Sequence, residues 1–396
     1  MTRLCAKLRV FFIVGSVFYL IPCQYSCKTN QFEANSYLSR LAFVVNLSLA
    51  SAHMCFDWLQ VWSGERHHVS RIFNFLLMLH TLTFPMIMVY MHLIMHLIVF
   101  IKRVQITVLF NALFTDRIWR FFGDRSNSWY DSTIWLGRIT TTITLSALCY
   151  LGLLTFSRYV TISEYELYVN VLEGIRVYVT MIAILIYIVC VLVVKMHFKQ
   201  IQVRIERFGA SITTSRQWCI FMDQYTAAIG SVNEINNIFS MLLLMVLVQV
   251  QVQLSYQFFT LYCSTEYGLV PIVTGLMMLH TQLWESLFLV MLLVVGYACH
   301  SCHNQIEDAN VAVRNNVVAI NTHRVDARKW IDRFLLQTLC QTHQQHFFVG
   351  KLFIMDNKLV CMALTSMVTH LMILIQFLEY EIDEYIVLFR NVSSIP

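Results

Sequence analysis

Residues 299–303 read Cys-His-Ser-Cys-His. Cys-x-x-Cys-His is the spacing at which two thiols anchor a c-type haem and a histidine reaches its iron. Two further groups have metal-ligand types at helical spacing. Cys340, His343 and His346 recur at i, i+3 and i+6, and with Cys299 and Cys302 they supply the ligand types of a zinc site. His92 and His96, four residues apart, put two imidazoles on one helix face. Which of these chemistries is available depends on the elements that carry the residues, and on which side of a membrane they stand.

Composition sets that frame. Of 396 residues, 58% are hydrophobic and only 13% are charged, with 12 glycines and 4 prolines. So little charge does not cover a soluble protein of this length. The apolar residues fall instead into runs of the roughly 20 residues that a membrane-spanning helix needs. Seven runs are predicted to span, near 36–60, 71–101, 133–156, 171–195, 236–262, 269–299 and 352–379. The expected fold class is an all-α polytopic membrane protein with seven transmembrane helices. Val-Gln-Val-Gln-Val-Gln at 248–253 alternates like a strand. An open strand would leave its backbone unpaired in lipid, so helix is predicted there too. The first 22 residues have the basic start and apolar middle of a signal peptide but no small-x-small cleavage site. Their apolar run is too short to span, which predicts a retained segment at the membrane interface. The twelve cysteines are scattered singly, unlike a secreted disulfide framework.

Charge gives the orientation. With the N-terminus inside, twenty Lys and Arg fall in cytoplasmic segments, from Arg3 to Lys351. Five fall outside: Arg66, Arg71, Arg158, Arg176 and Arg390. The positive-inside rule then puts the N-terminus in the cytoplasm and, after seven spans, the C-terminus outside. The net charge of +5 reflects this membrane asymmetry, and no nucleic-acid partner is implied. The expected organisation is an N-terminal cytoplasmic or interfacial segment at 1–35 and a six-helix ligand-binding bundle at 36–299, with a helical cytoplasmic loop at 196–235. Cytoplasmic anchor helices at 300–351, a seventh helix at 352–379 and an extracellular tail at 380–396 follow. Asn391 heads an Asn-Val-Ser glycosylation acceptor in that tail. Cys299 and Cys302 then lie at the cytoplasmic end of the sixth span. A reducing compartment keeps such thiols free, so haem attachment is not expected there. Neither a metal nor any other cofactor is predicted. His92 and His96 are expected near the headgroups.

The seventh run carries the function. On a helical wheel at about 100° per residue, Thr365, Thr369, Met372 and Gln376 fall within about 60° of one another. Thr365, Thr369 and Gln376 make a narrow polar stripe on an apolar helix, and in lipid such a stripe turns to protein or water. Immediately beyond come Glu379, Glu381, Asp383 and Glu384. Repeated around a symmetry axis, they would form an acidic mouth that concentrates cations.

Thr-His-Leu-Met-Ile-Leu-Ile-Gln-Phe at 369–377 resembles the Thr-Tyr-hydrophobic5-Gln-Phe signature of the insect gustatory receptors, in the last span, where that family carries it. Length and expected topology resemble the family along the whole chain. The resemblance implies a tetrameric, ligand-gated, non-selective cation channel in the plasma membrane of sensory neuron dendrites, not an enzyme. It implies a last helix that lines the pore, with Thr369, Gln376 and Phe377 in the motif and the last two near the gate. It also implies subunits, alike or different, joined through a cytoplasmic anchor layer. His370 stands where the signature has Tyr. Leu371 stands where sugar-receptor members have Glu, which points to a bitter-type or divergent branch. The implied partner is a small-molecule tastant, held in the outer half of each subunit. There the sequence supplies His80, Tyr150, Tyr178, Gln253, Tyr256, His280, Gln282 and Trp284. Aromatic walls with few polar groups suit a small, largely apolar ligand. Two other seven-span or multi-span readings are a G-protein-coupled receptor and a secondary transporter. The first has its N-terminus outside, and the second usually shows internal repeats and broken spans, with no such repeat evident in this sequence.

The charge distribution makes a direct prediction. An epitope at residue 1 should be reached by antibody only after permeabilisation, whereas one following Asn391 should be reached on intact cells. Staining of the first on intact cells would reverse the topology.

Overall fold

In a computed structural model of the chain, the described residues are 9–26, 31–34, 37–62, 76–114, 164–208, 215–267, 272–319 and 345–393, with single positions at 29, 138, 141, 145, 332 and 336. The order of elements is α1 (Arg9–Val17), β1 (Gln24–Ser26), β2 (Gln31–Glu33), α2 (Tyr37–Trp62), α3 (Leu76–Ile101) and α4 (Arg103–Phe114). Then come α5 (Glu164–Phe208), α6 (Ser215–Tyr267), α7 (Ile272–Ala319), β3 (Phe348–Val349), β4 (Phe353–Ile354) and α8 (Asn357–Ser393). The third expected span, 133–156, lies outside the described residues except for Arg138, Thr141 and Leu145, each of which is helical.

Among the described residues, four helices are long and apolar enough to cross a membrane, in the windows Tyr37–Phe56, Gly174–Glu206, Ile220–Gln251 and Asn357–Phe377. A fifth is added if α3 and α4, bent by 69° between Ile101 and Arg103, count as one broken span. Residues 248–253 lie within α6, so the alternating valines and glutamines are helical.

α5 is the axis of the bundle. Its apolar window is 94% buried, because residues such as Val179, Met181, Tyr187, Cys190 and Val194 are apolar on every side. A helix that is hydrophobic all round is stable only inside other helices. α7, α6, α2 and α3 all pack against it. α5, α6 and α7 have 45, 53 and 48 residues. At ~1.5 Å per residue they run about 70–80 Å, over twice the hydrocarbon thickness. α5 and α7 run past the expected ends of their spans, and α6 begins well before its own, in segments that the sequence also reads as helical.

Three details differ from the sequence expectation. The N-terminal segment does not lie along a surface. After α1 the chain reverses, with the Leu20 and Ile21 N–H groups both donating to the Gly15 carbonyl at 2.8 and 2.9 Å. Its tip packs into the bundle: Asn46 of α2 donates to the Val17 carbonyl at 2.8 Å, and Phe18 meets Tyr178 edge to face. Phe12 joins Phe32, Phe110 and Phe114 in one aromatic cluster. The tip is core because its aromatic residues face in several directions and a flat interface takes only one. Second, Arg103–Phe114 is a helix with Ile106, Leu109, Phe110, Leu113 and Phe114 buried, where a loop was expected. Third, Arg176, counted above among external loop residues, is 4% exposed inside the bundle.

The Cys-His-Ser-Cys-His motif belongs to this core. Cys299 Sγ lies 3.2 Å from the Tyr187 hydroxyl, and Lys195 donates to Ser301 at 2.6 Å. Cys302 is fully buried, and burial pushes its thiol well above the ordinary range. His303 stacks on His346, with ring centroids 4.2 Å apart. The motif therefore ties α7 to α5 and to the segment before α8. Cys340 and His343 lie outside the described residues. Among the described residues, no group of three or more His, Cys, Asp or Glu is placed to hold a metal. Replacing Cys299 and Cys302 with Ser should leave the fold intact, and purified protein should show no haem absorbance. Stoichiometric zinc by elemental analysis, lost in the double variant, would show that the thiols are ligands.

Candidate functional site

The site is built on α8, and its setting begins before the helix. Residues 345–354 form a knot that α6 holds. Asn236 donates through Nδ2 to the His346 carbonyl at 2.8 Å and accepts from the Phe348 N–H at 2.9 Å. The Gly350 N–H donates to the Ser240 carbonyl at 2.8 Å. Gly350 sits at φ +60°, and a Cβ there would come within 2.7 Å of Leu244. Only glycine meets both demands without strain. Tyr225 donates to Asn310 at 2.9 Å, joining α6 to α7 beside Gln345. β3 and β4 then pair antiparallel, Val349 opposite Phe353. This pairing is why the seventh helix starts at Asn357 and not at 352. Asp356 caps it by accepting from the Leu359 N–H at 2.8 Å, a contact typically worth about 1 kcal/mol.

One narrow seam then fixes the rotation of α8. Val360, Met367 and Leu374, spaced by seven residues, are buried, with 2%, 8% and 7% of their surface exposed. They pack towards α6 and α7. At Gly296 of α7 the approach is closest: a Cβ there would meet Val360 at 2.7 Å. With Thr365 set at zero, the seam lies at about 180° to 220°. Thr365, Thr369, Met372 and Gln376 lie at about −20° to +40° and are all exposed. The predicted stripe is thus on the side of α8 directly away from its own bundle. An open groove along this side is lined by Cys361, Met362, Thr365, Ser366, Thr369, His370 and Ile373.

The stripe is not uniform in chemistry. The Thr365 hydroxyl donates to the Cys361 carbonyl at 2.9 Å, and that of Thr369 to the Thr365 carbonyl at 3.0 Å. Threonines satisfied within their own helix tolerate lipid. A glutamine amide has more capacity than one backbone carbonyl fills, and moving it into hydrocarbon unpaired costs about 4–8 kcal/mol. Gln376 is therefore the member that demands water or a partner. Phe377, at about +120°, is 54% exposed. Beside the stripe, Gln251 of α6 donates to Ser366 at 2.8 Å. At the far end the Tyr262 hydroxyl donates to Glu379 at 3.0 Å, so α6 holds this carboxylate in place. The side chains of Glu381, Asp383 and Glu384 lie outside the described residues. The backbone there is helical, and α8 runs to Ser393 through the expected tail, with Asn391 in its last turn.

Of the eight residues expected around a ligand, Tyr178 is the one whose side chain is described. It is buried against Phe18 of the N-terminal tip. His80 lies on α3, Gln253 and Tyr256 on α6, and His280, Gln282 and Trp284 on α7, but their side chains lie outside the described residues, as does all of Tyr150. Sequence reasoning did not assign Asn236 or Ser240, which with Gly350 set the start of α8. Gly350 alone left a signal, as a glycine standing just before the last apolar run.

Comparison with known proteins agrees with this architecture. The chain is similar in fold to the insect olfactory receptor OR5 from Machilis hrabei, whose structure was solved in complex with eugenol. The TM-score is 0.68 at 11% sequence identity, over 94% of this chain and 99% of that one. No curated protein matches the chain. The 7tm chemosensory receptor family matches residues 8–381, nearly the whole length, and the chain belongs to that family.

Proposed function

We propose that the protein is a taste receptor that acts as a ligand-gated, non-selective cation channel, with α8 from each of four subunits lining a central pore. The observation that carries this reading is the placement of the polar stripe opposite the Val360–Met367–Leu374 seam. A stripe that served packing within the subunit would face α6 and α7. This one faces away from both, and Gln376 makes a lipid-facing setting costly. Four copies arranged about an axis would give Gln376 water and bring the Glu379 carboxylates to the mouth, where they raise the local concentration of cations. Glu381, Asp383 and Glu384 extend the same ring.

The taste assignment rests on Thr369, Gln376 and Phe377, with His370 and Leu371 favouring a bitter-type or divergent branch over the sugar branch. The eugenol bound by the olfactory receptor is a small aromatic molecule, which supports a small, largely apolar tastant here. Its place is among the helices that carry His80, Tyr178, Gln253, Tyr256, His280, Gln282 and Trp284, with Tyr150 from the third span. The subunits assemble as a homo- or hetero-tetramer in the plasma membrane, with the N-terminus inside and Asn391 glycosylated outside.

Gating follows from the wheel. Gln376 and Phe377 are about 100° apart, so a rotation of α8 that turns one towards the axis turns the other away from it. An apolar ring in a narrow pore stops ions by expelling water. Phe377 thus forms the closed barrier and Gln376 the open lining. Phe377→Ala should raise ligand-independent current in transfected cells, and Gln376→Ala should reduce conduction or change ion preference. Unchanged currents in both variants would remove α8 from the pore, and the channel reading with it.

A further inference from the structure

The break between α3 and α4 has no part in the reading above. α3 has 26 residues, which at ~1.5 Å per residue reach about 39 Å and cross the hydrocarbon unaided. The chain then turns by 69°, so α4 runs closer to perpendicular to α3 than along it. Lys102 and Arg103 stand at the turn, where basic residues mark the cytoplasmic end of a span. α4 is held from one side. Ile106, Leu109, Phe110, Leu113 and Phe114 are buried. Asn111 grips the Phe32 backbone, accepting from its N–H at 2.7 Å and donating to its carbonyl at 2.9 Å. On the other side Val104 and Val108 are 60% and 59% exposed, and Ile101 at the turn is 74% exposed. An interfacial helix lays such an apolar side into the headgroup boundary.

The charges around the turn are fixed in place. The Arg103 guanidinium lies 4.5 Å over the Phe100 ring, and Phe100 stacks on Phe43 of α2 at 4.3 Å. Arg40 lies three residues before Phe43, on the same face of α2. Consecutive spans run in opposite directions, so Arg40 and Arg103 both lie beyond the aromatic stack, at the same end of the bundle. Among the described residues, Arg40, Lys102 and Arg103 have no ion pair. The described acids of this part of the chain are engaged elsewhere or distant. Glu33 accepts from Thr29 at 2.9 Å, and Asp57 stands towards the other end of α2. Leu38 and Leu41 of α2 are exposed on either side of Arg40. A surface that sets cations without counter-ions beside exposed apolar side chains suits an amphiphile with an anionic head. Inorganic phosphate would cover the cations and leave the apolar side chains wet, and a neutral lipid would do the reverse.

We propose that this elbow binds an anionic phospholipid of the cytoplasmic leaflet, its phosphate among Arg40, Lys102 and Arg103 and its acyl chains along Ile101, Val104 and Val108. The leaflet follows from the orientation read from charge, and the site does not depend on the channel reading. Bound lipid braces α4. Through Asn111 and Phe110 it also braces β2 and the N-terminal segment, because Asn111 holds Phe32 and Phe110 packs on Phe12.

The test titrates the full-length protein, in neutral detergent, with phosphatidylserine and counts bound lipid by native mass spectrometry. Detergent has no sides, so the result is independent of topology. The wild type should bind phosphatidylserine roughly tenfold or more tightly than phosphatidylcholine. Arg103 also packs on Phe100, so Arg40→Gln combined with Lys102→Gln carries the main comparison. That variant should bind phosphatidylserine roughly tenfold more weakly than the wild type. Lys199→Gln combined with Lys358→Gln removes the same charge from other exposed positions and should bind as the wild type does. Soluble glycerophosphoserine should not compete. Equal binding of the two lipids, no loss in the elbow variant, or an equal loss in both double variants overturns the inference. Competition by glycerophosphoserine also overturns it, in favour of a site for free anions. If the elbow variant does not fold, acylation of Lys102 in the wild type by an amine reagent decides. Slower acylation with phosphatidylserine than with phosphatidylcholine supports the site, and equal rates overturn it.

Discussion

The rotational setting of one helix governs what this protein can do. α8 buries Val360, Met367 and Leu374 against its own bundle, with Leu359 and Leu364 partly buried beside them. Most of its circumference is left for lipid, water or other subunits. So narrow an attachment would let a helix roll, and the segment before it supplies the constraint. Asn236 holds the His346 carbonyl and the Phe348 N–H, and the Ser240 carbonyl holds Gly350. The Gly350 turn and the short β3–β4 pair then deliver the chain to an Asp356-capped first turn. Each hydrogen bond contributes only about 0.5–1.5 kcal/mol, but together they fix where α8 begins and hence which residues face outward.

This arrangement links the long helices to the stripe. α6 holds the knot at one end and reaches Ser366 and Glu379 further along, through Gln251 and Tyr262. A displacement of α6 would therefore act on both ends of α8. α7 meets α8 at Gly296, where the absence of a side chain lets Val360 approach. It also meets the knot through His303 stacked on His346. The motif that suggested haem thus serves mechanical coupling: its cysteines and serine face α5, and its last histidine faces the knot.

Much of this was legible in the sequence for a simple reason. Membrane helices are long apolar runs whose polar positions must have a purpose, so the stripe at 365, 369 and 376 could be read from a wheel without coordinates. The helical state of Val-Gln-Val-Gln-Val-Gln followed from the need to pair every backbone group in lipid. What failed to show depends on contacts between distant parts of the chain. The apolar residues at 352–354 look like the start of a span, and their pairing with 348–349 appears only once both are placed. The aromatic residues at 11–19 fit an interfacial helix until Tyr178, Asn46 and Phe110 are brought to meet them. His92 and His96 are buried among the helices, a contact that hydropathy along the chain does not report. The seven expected spans compare with four, or five, among the described residues, and the third expected span lies almost wholly outside those residues.

The central claim is that the Thr365–Gln376 side of α8 faces water and the Val360–Leu374 side does not. It is tested most directly by placing single cysteines from 360 to 377, in a background with Cys361 replaced, and measuring their modification by a membrane-impermeant thiol reagent in intact and opened membranes. The account predicts a helical period, with maxima at 365, 369, 372 and 376 and protection at 360, 367 and 374. Modification without that period, or with its maximum on the protected positions, would contradict it.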